Sequence, residues 1–243
     1  MRDQVELSAR MQALTDMVTP GNRVCDVGCD HGWVSVYLVQ QGISPRVLAM
    51  DVRRGPLSRA QQHIRQRGLE AYIETRLSDG VAALEAGEAD TVLCAGMGGR
   101  LMQRILEEGR EKLASVGELI LQPQSELRAF RAYLRGAGYV TAAEDMVYED
   151  GKYYPMMKAV PAAGERDISV TAEEQALWDC FGELLLAHGH PVLKQYLKAA
   201  EQSCGRILEQ LEQGASDRER AALRCRELEE ERRLVLLALE RYY

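Results

Sequence analysis

The sequence contains no apolar run long enough to cross a membrane, and its first residues do not form a secretion signal. The longest strongly apolar stretch near either end is Leu234–Leu239, far short of the roughly 20 residues that a transmembrane helix needs. The start, Met1-Arg2-Asp3-Gln4, lacks the apolar core of a signal peptide. We therefore expect a soluble protein with no membrane partner.

Clusters of cysteine and histidine are also missing. The six cysteines are scattered without a CxxC pair, which predicts buried, reduced thiols in a cytoplasmic protein. His31 has no second histidine at ligand spacing, and His188-Gly-His190 stands beside Pro191 as at a helix end. The chain has neither a Walker loop nor a G-x-S-x-G motif. We expect no metal and no nucleophile set.

The charge distribution is uneven. Over 243 residues, 37 acidic side chains face 30 basic ones, and the net charge of −7 argues weakly against a nucleic-acid partner. Residues 46–67, however, carry six arginines against one acid, a local charge of +5. Arg128, Arg131 and Arg135 also recur at the spacing of one helix face. Both groups suit contacts with phosphates, although solvated helix faces are the alternative.

The first 160 residues alternate strand-like and helix-like patterns, which predicts an α/β fold with a doubly wound, mostly parallel sheet. Apolar, often β-branched runs predict five strands, at Val24–Gly28, Val47–Asp51, Tyr72–Leu77, Thr91–Ala95 and Leu119–Gln122. Tyr139–Tyr148 and Tyr153–Val160 predict a hairpin that gives the sheet an antiparallel last strand. An amphipathic helix is expected from Val5 to Val18.

Beyond a linker-like stretch at 161–167, the strand signal disappears. A short helix is expected over Glu173–Ala187. Two long helices follow, with apolar residues at spacings of three and four and a turn and new helix cap at 214–217. This pattern predicts an antiparallel coiled-coil hairpin. The expected domains are residues 1–162 and 163–243.

The first strand leads into Asp26-Val-Gly28-Cys29-Asp30-His31-Gly32, a glycine-bearing turn before a helix. This arrangement brings a ligand close to the backbone at the carboxyl edge of a sheet. Asp30 stands where a dinucleotide-binding motif has its second glycine, so the pyrophosphate of NAD or FAD is disfavoured. Asp30 and Asp26 better suit the cationic centres of S-adenosylmethionine. The alternative is a tight turn in which Asp30 caps the helix.

Acids follow the next two strands. Asp51 ends the second strand, 23 residues after Gly28, close to the spacing of about 20 at which an acid reaches a ribose diol. The alternative is a solvated carboxylate at a strand end. Asp79 follows the third strand and suits either an adenine amino group or a helix cap.

Two more loops, after the fourth and fifth predicted strands, lie at the same carboxyl edge of the predicted sheet. The fourth strand enters Cys94-Ala-Gly-Met-Gly-Gly-Arg100, whose three glycines let a flat group approach the backbone. The fifth ends at Gln122-Pro-Gln-Ser125, where Ser125 is a candidate helix cap. Loops that converge on one edge of a sheet predict a single cleft.

Four segments together, Asp26–His31, Ala95–Gly99, Leu119–Pro123 and Glu149–Tyr154, resemble in order and spacing the bacterial tRNA (adenine-22-N1)-methyltransferase family, TrmK. The resemblance covers about residues 5–160 closely and the helical tail in architecture. It implies a class I (Rossmann-like) methyltransferase fold with a C-terminal coiled-coil domain. It also implies S-adenosyl-L-methionine as methyl donor and tRNA as substrate.

The resemblance and the loop positions together give expected roles. Asp30 and His31 are the expected catalytic residues, because their loop faces the cleft and 1-methyladenine is cationic. The expected cofactor-binding residues are Asp26, Gly28, Cys29, Asp51, Val52, Ser78, Asp79, Gly80, Ala95 and Gly96. The expected substrate-binding residues are Met97, Gly98, Gly99, Gln122, Pro123, Arg53 and Arg54. A methyltransferase acting on a small molecule or protein, and a non-catalytic cofactor- or partner-binding module, are the alternatives.

Overall fold

The computed structural model describes residues 4–164, 170–214 and 218–243, and side chains outside 212–220. The chain forms two compact units, Met1–Arg166 and Asp167–Tyr243. Part of the predicted linker at 161–167 and most of the predicted turn at 214–217 lie outside the described residues. The predicted domain boundary at 162/163 stays a prediction.

The first unit is built on a mixed sheet of seven strands in the order β3-β2-β1-β4-β5-β7-β6. The strands are β1 (Val24–Val27), β2 (Val47–Asp51), β3 (Ile73–Leu77), β4 (Thr91–Met97), β5 (Glu118–Pro123), β6 (Tyr139–Glu149) and β7 (Lys152–Pro161). The first five are parallel, and β7 inserts antiparallel between β5 and β6. This confirms the predicted doubly wound sheet with an antiparallel last strand.

Helices cover both faces of the sheet, because the central strands are buried on both sides. One face packs against α1 (Ala9–Asp16), α2 (Trp33–Gln40) and α3 (Arg54–Arg67). The other packs against α4 (Gly99–Glu108), the short α5 (Arg110–Leu113) and α6 (Leu127–Gly136). Adjacent residues of β1 alternate between these faces, with Val24 in one apolar cluster and Cys25 in the other. Residues 78–90, between β3 and β4, form turns rather than a helix.

The predicted helix over residues 5–18 is wrong in its first turn. Residues 4–8 run extended, and α1 begins only at Ala9. The Val5 N–H donates to Gln40 Oε1 (3.0 Å), and the Ser8 hydroxyl donates to Glu149 Oε2 (3.0 Å). Val5 is buried in the core while Gln4 and Glu6 are not. Polar and apolar residues alternate over residues 4–8, as in a strand, and this local pattern predicts the structure there better than the helical spacing does.

Three other local expectations are corrected. The helix predicted over 173–187 is two helices, α7 (Ala172–Phe181) and α8 (Glu183–Ala187), because Gly182 takes a φ of 94° between them. Ser125 is not the cap of α6, since Glu126 occupies that position with a φ of 56°. Arg131 is buried and its Nε donates to Glu144 Oε1 (3.1 Å), so the predicted arginine stripe on α6 does not exist.

The second unit is helical. Its two long helices are α9 (Pro191–Gly214) and α10 (Arg218–Tyr242). Two contacts show that the helices run antiparallel. The Tyr243 hydroxyl, just after the end of α10, donates to His190 O, just before the start of α9. Further along the pair, Arg232 Nη2 donates to Glu201 Oε1. Five of the positions predicted to face the partner helix are buried, namely Leu193, Leu197, Cys204, Leu228 and Val235. Leu234 and Ala238 are buried as well, whereas Leu239, where the pattern predicts a buried residue, is only half-buried. No described helix in either unit has the length and apolarity to span a bilayer.

Candidate functional site

The loop between β1 and α2, residues 28–32, is fastened to the neighbouring strand. The N–H groups of Gly28 and Cys29 both donate to Met50 O, at 2.8 and 2.9 Å. Gly28 has a φ of +75°, and a Cβ there would lie 2.3 Å from Met97 Cε. The positive φ favours glycine, and the end of the Met97 side chain packs against the space that a Cβ would fill. Met97 belongs to the glycine-rich segment after β4, so the two glycine-bearing segments of the sequence meet at this point.

Asp51 joins the β1–α2 loop to β2. The carboxylate is 5% exposed. Its Oδ2 accepts from the Asp30 N–H (3.2 Å), and its Oδ1 accepts from the Arg53 N–H (2.8 Å). Each carboxylate oxygen can accept more than one hydrogen bond. Asp51 is therefore a fixed acceptor at the carboxyl edge of the sheet, as binding of a diol requires.

Asp26 is a buried carboxylate in β1. It is 3% exposed, and its Oδ2 accepts from the Ser35 hydroxyl at 2.6 Å. Burial raises the pKa of Asp26 to about 6; the Ser35 hydrogen bond offsets part of that increase, and the charge of Asp51 adds to it. The hydroxyl and the backbone N–H of Ser35 compensate only part of this buried negative charge, and a cationic ligand group would stabilise it further.

Asp30 and His31 lie at the tip of the loop. Asp30 has a φ of 48°, a left-handed conformation that its N–H bond to Asp51 helps to hold. Its side chain is 61% exposed, and Asp30 Oδ2 lies 3.5 Å from His31 Nε2. An exposed carboxylate next to an imidazole is thus available at the edge of the cleft.

A cavity of about 430 Å³ opens beside this loop. Its inner wall includes Asp26, Gly28 and Ala95, and its outer wall includes Trp33 and Arg67. The extended segment 4–8 and Met11 form the remaining side. The buried acid and the β1–α2 loop therefore face one concave space, partly closed by the start of the chain.

The segment after β3 supplies turns and one exposed acid. The Ser78 hydroxyl donates to Gly80 O (2.9 Å) and accepts from the Ala83 N–H (3.0 Å), so it shapes the turn itself. Asp79 Oδ1 lies 3.5 Å from Arg104 Nη2 in an exposed ion pair. Val52, after β2, is exposed to solvent. Asp79 is therefore no helix cap, and its carboxylate and Val52 are accessible to a ligand.

The glycines of residues 96–99 have different environments. Gly96 is exposed, has a φ of +75° and interrupts the β4–β5 register. Gly99 is buried, and a Cβ there would lie 2.5 Å from Ser125 O. A Cβ on Gly98 would lie 3.0 Å from Ser125 Oγ. Gly98 and Gly99 thus permit close packing against the segment after β5, and Gly96 is the glycine open to the cleft.

Gln122 and Pro123 are both buried, whereas Arg53 and Arg54 are exposed. Gln122 Oε1 accepts from Arg10 Nη1 and from the Gly96 N–H, both at 3.2 Å. Gln122 thereby anchors the backbone at Gly96 through a hydrogen bond. Its role in binding substrate stays a prediction.

Neither thiols nor a metal cluster add reactive groups to the site. Burial raises the pKa of the Cys29 thiol, and it raises that of Cys94 to about 12. Neither thiol is an activated nucleophile. Within residues 4–164, 170–214 and 218–243, no three His, Cys, Asp or Glu side chains come together as metal ligands.

Comparison with known proteins decides the family. Residues 7–157 match the family model described as a methyltransferase domain. Over 226 residues the chain is 30% identical to the tRNA (adenine(22)-N(1))-methyltransferase of Bacillus subtilis (strain 168), spanning 93% of this chain and 94% of that protein. The chain belongs to the tRNA (adenine(22)-N(1))-methyltransferase family.

Solved structures agree with this membership. The crystal structure of the B. subtilis m1A22 tRNA methyltransferase TrmK superposes with a TM-score of 0.83 at 28% identity, covering 97% of this chain and 99% of that one. A Streptococcus pneumoniae protein solved in complex with S-adenosyl-L-methionine gives 0.82 at 29% identity, covering 96% and 100%. The first unit is therefore a Rossmann-like class I methyltransferase fold.

Sequence reasoning missed two parts of this methyltransferase site. One is the segment 4–8, which forms a wall of the cavity and whose alternation of polar and apolar residues could have indicated an extended chain. The other is a ring stack. Trp33 and His63 stack with centroids 4.0 Å apart, and His63 Nδ1 donates to His31 O at 2.9 Å. No local pattern in the sequence signals that pairing, because it joins α2 to α3.

Proposed function

We propose that this chain is an S-adenosyl-L-methionine-dependent tRNA methyltransferase that methylates N1 of the adenine at position 22. The observation that carries the proposal is the contact between Gly28 and Met97. It joins the segment suited to the cofactor to the segment suited to a flat base, at one edge of the sheet. Family membership supplies the identity of the cofactor and the substrate.

The residues present fit the cofactor. Asp26 offers a buried negative charge for the ammonium group, and Asp51 offers a fixed acceptor for the ribose hydroxyls. Gly28, Cys29, Asp30, Ala95 and Gly96 would contact the methionyl part through backbone. Val52, Ser78, Asp79 and Gly80 would surround the adenine. The bound cofactor supplies an electrophilic methyl group on a sulfonium.

The chain's own contribution to transfer is alignment and electrostatics. N1 of adenine carries an in-plane lone pair on a neutral ring, so no residue has to remove a proton. Met97 and the exposed Gly96 would border the flipped-out base, with Gly98 and Gly99 fixing their backbone. Methylation leaves the ring cationic, and the exposed Asp30 carboxylate would stabilise that charge as it develops. His31, 3.5 Å away, would orient Asp30.

The helical unit would act as a clamp for tRNA. We propose that α9 and α10 wind as a coiled coil, which their antiparallel course and buried positions of three-four spacing support. Residues 171–243 hold 10 basic and 14 acidic side chains, a charge of −4. Phosphate contacts must therefore come from the first unit or from a single face of the helices. We keep residues 1–162 and 163–243 as the proposed domains, and a tRNA substrate supports a cytoplasmic location.

The test is product analysis. Purified protein is incubated with unmodified tRNA and S-adenosyl-L-methionine, and the RNA is digested to nucleosides for mass spectrometry. We expect 1-methyladenosine to appear with time and enzyme concentration. An Asp51→Ala variant is the matched negative control. Absence of any methylated nucleoside with a protein that binds the cofactor would refute the proposal.

A further inference from the structure

The ring stack at the start of α2 borders the cleft without taking part in the chemistry described above. Trp33 lies three residues after Asp30 and is 38% exposed. His63 stacks on it and lies between it and His31, whose ring centroid is 6.1 Å from that of His63. Trp33 also lines the outer wall of the 430 Å³ cavity. The Arg67 guanidinium also lies over the Trp33 ring, with Cζ 5.1 Å from its centroid. His63 and Arg67 thus hold the ring in place, and the exposed part of Trp33 lies beside the proposed catalytic loop.

The helix that carries His63 is basic along its length. Helix α3 contains Arg54, Arg59, Arg65 and Arg67 and no acidic residue, in a chain whose net charge is −7. Arg54, Arg59 and Arg65 are exposed and, among the residues that the structure describes, form no ion pair with a carboxylate. The other exposed side chains of α3 are serine and glutamine, which also hydrogen-bond to phosphates.

Folding stability does not account for this charge pattern. The first turn of a helix favours acidic side chains, because unpaired N–H groups give it a partial positive charge. Arg54 lies in that turn, which contains no acidic residue, whereas Arg53 just before it lies 4.0 Å from the Asp51 carboxylate. Acidic side chains three or four residues from an arginine stabilise an exposed helix, and α3 contains none. An anionic partner explains this arrangement better than solvation does.

We infer that α3 and the Trp33–His63 stack form a tRNA-binding surface, in which the arginines contact phosphates and one unstacked base lies on the exposed part of Trp33. The inference rests on the proposed function for the identity of the partner. Stacking of bases on aromatic rings and neutralisation of phosphates by arginines are the two recurrent means of holding single-stranded RNA. The base on Trp33 would be a neighbour of the target, because the stack adjoins the loop that carries Asp30.

The proposed stacking of a base on Trp33 is tested with Trp33→Ala and with the conservative variant Trp33→Tyr. Affinity for unmodified tRNA is measured by filter binding, and affinity for S-adenosyl-L-methionine by calorimetry. We expect Trp33→Ala to weaken tRNA binding about 10- to 100-fold, to weaken cofactor binding by a smaller factor, since Trp33 also lines the cavity, and to be rescued by Trp33→Tyr. Unchanged tRNA affinity, loss of cofactor affinity alone, or failure of the tyrosine to rescue would overturn the stacking assignment.

The proposed contacts between the arginines of α3 and tRNA phosphates are tested with Arg59→Glu. Its matched control is Arg110→Glu, which makes the same charge change at an exposed arginine at the start of α5, near the opposite edge of the sheet. We expect Arg59→Glu to weaken tRNA binding and to lower the slope of log K against log salt by about 1, whereas Arg110→Glu changes neither. Equal effects of the two variants would overturn the assignment of α3.

These readouts are independent of methyl transfer. A protein that binds tRNA through this surface but forms no 1-methyladenosine would contradict the proposed function and leave the surface assignment intact. A protein that forms 1-methyladenosine equally well with all four variants would contradict the surface and leave the proposed function intact.

Discussion

Asp26→Asn should stabilise the cofactor-free protein at neutral pH. The pKa of Asp26 is about 6 in the folded chain against 3.8 for an unperturbed aspartate, because the carboxylate is buried. A pKa difference of about 2 corresponds to about 3 kcal/mol at about 1.4 kcal/mol per unit. Asparagine keeps an acceptor for the Ser35 hydroxyl and removes the buried charge. We therefore expect a gain of at most about 3 kcal/mol in the free energy of unfolding.

The sign of the pH dependence follows from which state binds the proton. Below about pH 4 Asp26 is protonated in both states and its burial carries no charge penalty. Between about 4 and 6 the folded state retains a proton that the unfolded state has released, so stability falls as pH rises. Above about 6 the whole penalty is present. The gain from Asp26→Asn should be full at pH 8 and about half as large at pH 5.

The assay is thermal unfolding of both proteins without cofactor at pH 5 and pH 8. About 1 kcal/mol shifts the midpoint by roughly 2–4 °C in a chain of this size, so we expect an increase of several degrees at pH 8. Asp90→Asn is a control of opposite sign, since the Arg23 guanidinium lowers the pKa of Asp90 and that variant should lose stability. A lower midpoint for Asp26→Asn at pH 8, or a gain that does not shrink at pH 5, would refute the reasoning.

Three further predictions concern function. Asp51→Ala should weaken binding of S-adenosyl-L-methionine at least about 10-fold in calorimetry, because it removes the acceptor shared by the Asp30 and Arg53 N–H groups. Asp30→Ala should lower kcat at least about 100-fold with a smaller loss of cofactor affinity, measured by steady-state methylation and by calorimetry. Removal of residues 170–243 should leave cofactor binding in place and raise the KM for tRNA, because the second unit is compact in itself.

Each of the three has a result that would contradict it. An unaltered titration curve would remove Asp51 from the cofactor site. Equal turnover of Asp30→Ala and the parent chain would exclude a role for that carboxylate in the transition state. A truncated chain that is folded by circular dichroism and fully active on tRNA would show that the helical unit is no clamp.

The sheet could be predicted because its signals are local. Val24–Val27 and Val47–Asp51 are short apolar runs, buried throughout, that lead into a glycine or end at an acid, and Thr91–Met97 begins with four buried residues before Gly96. The hairpin followed from Asp150-Gly151, both of which take positive φ. The carboxyl ends of these strands necessarily share one edge, so a cavity lined by Asp26 and Asp30 at that edge was predictable as well.

What could not be predicted depends on partners distant in sequence. Arg131 has the spacing of a surface stripe, but Glu144 on β6 draws it into a buried ion pair. Gln122 stays a predicted substrate residue, but its hydrogen bonds with Arg10 and Gly96 have no signal in the sequence. The Trp33–His63 stack joins residues 30 positions apart. Periodicity and turn signals carry no information about such contacts.

The proposed reaction modifies one defined adenine of the tRNA. The most direct measurement is to map the modified position by mass spectrometry of nuclease fragments, using an unmodified tRNA with adenine at position 22 and the same tRNA with guanine there. We predict one added methyl group on the fragment containing adenine 22 and none on the guanine variant. Methylation at another position, or equal methylation of both transcripts, would contradict the account.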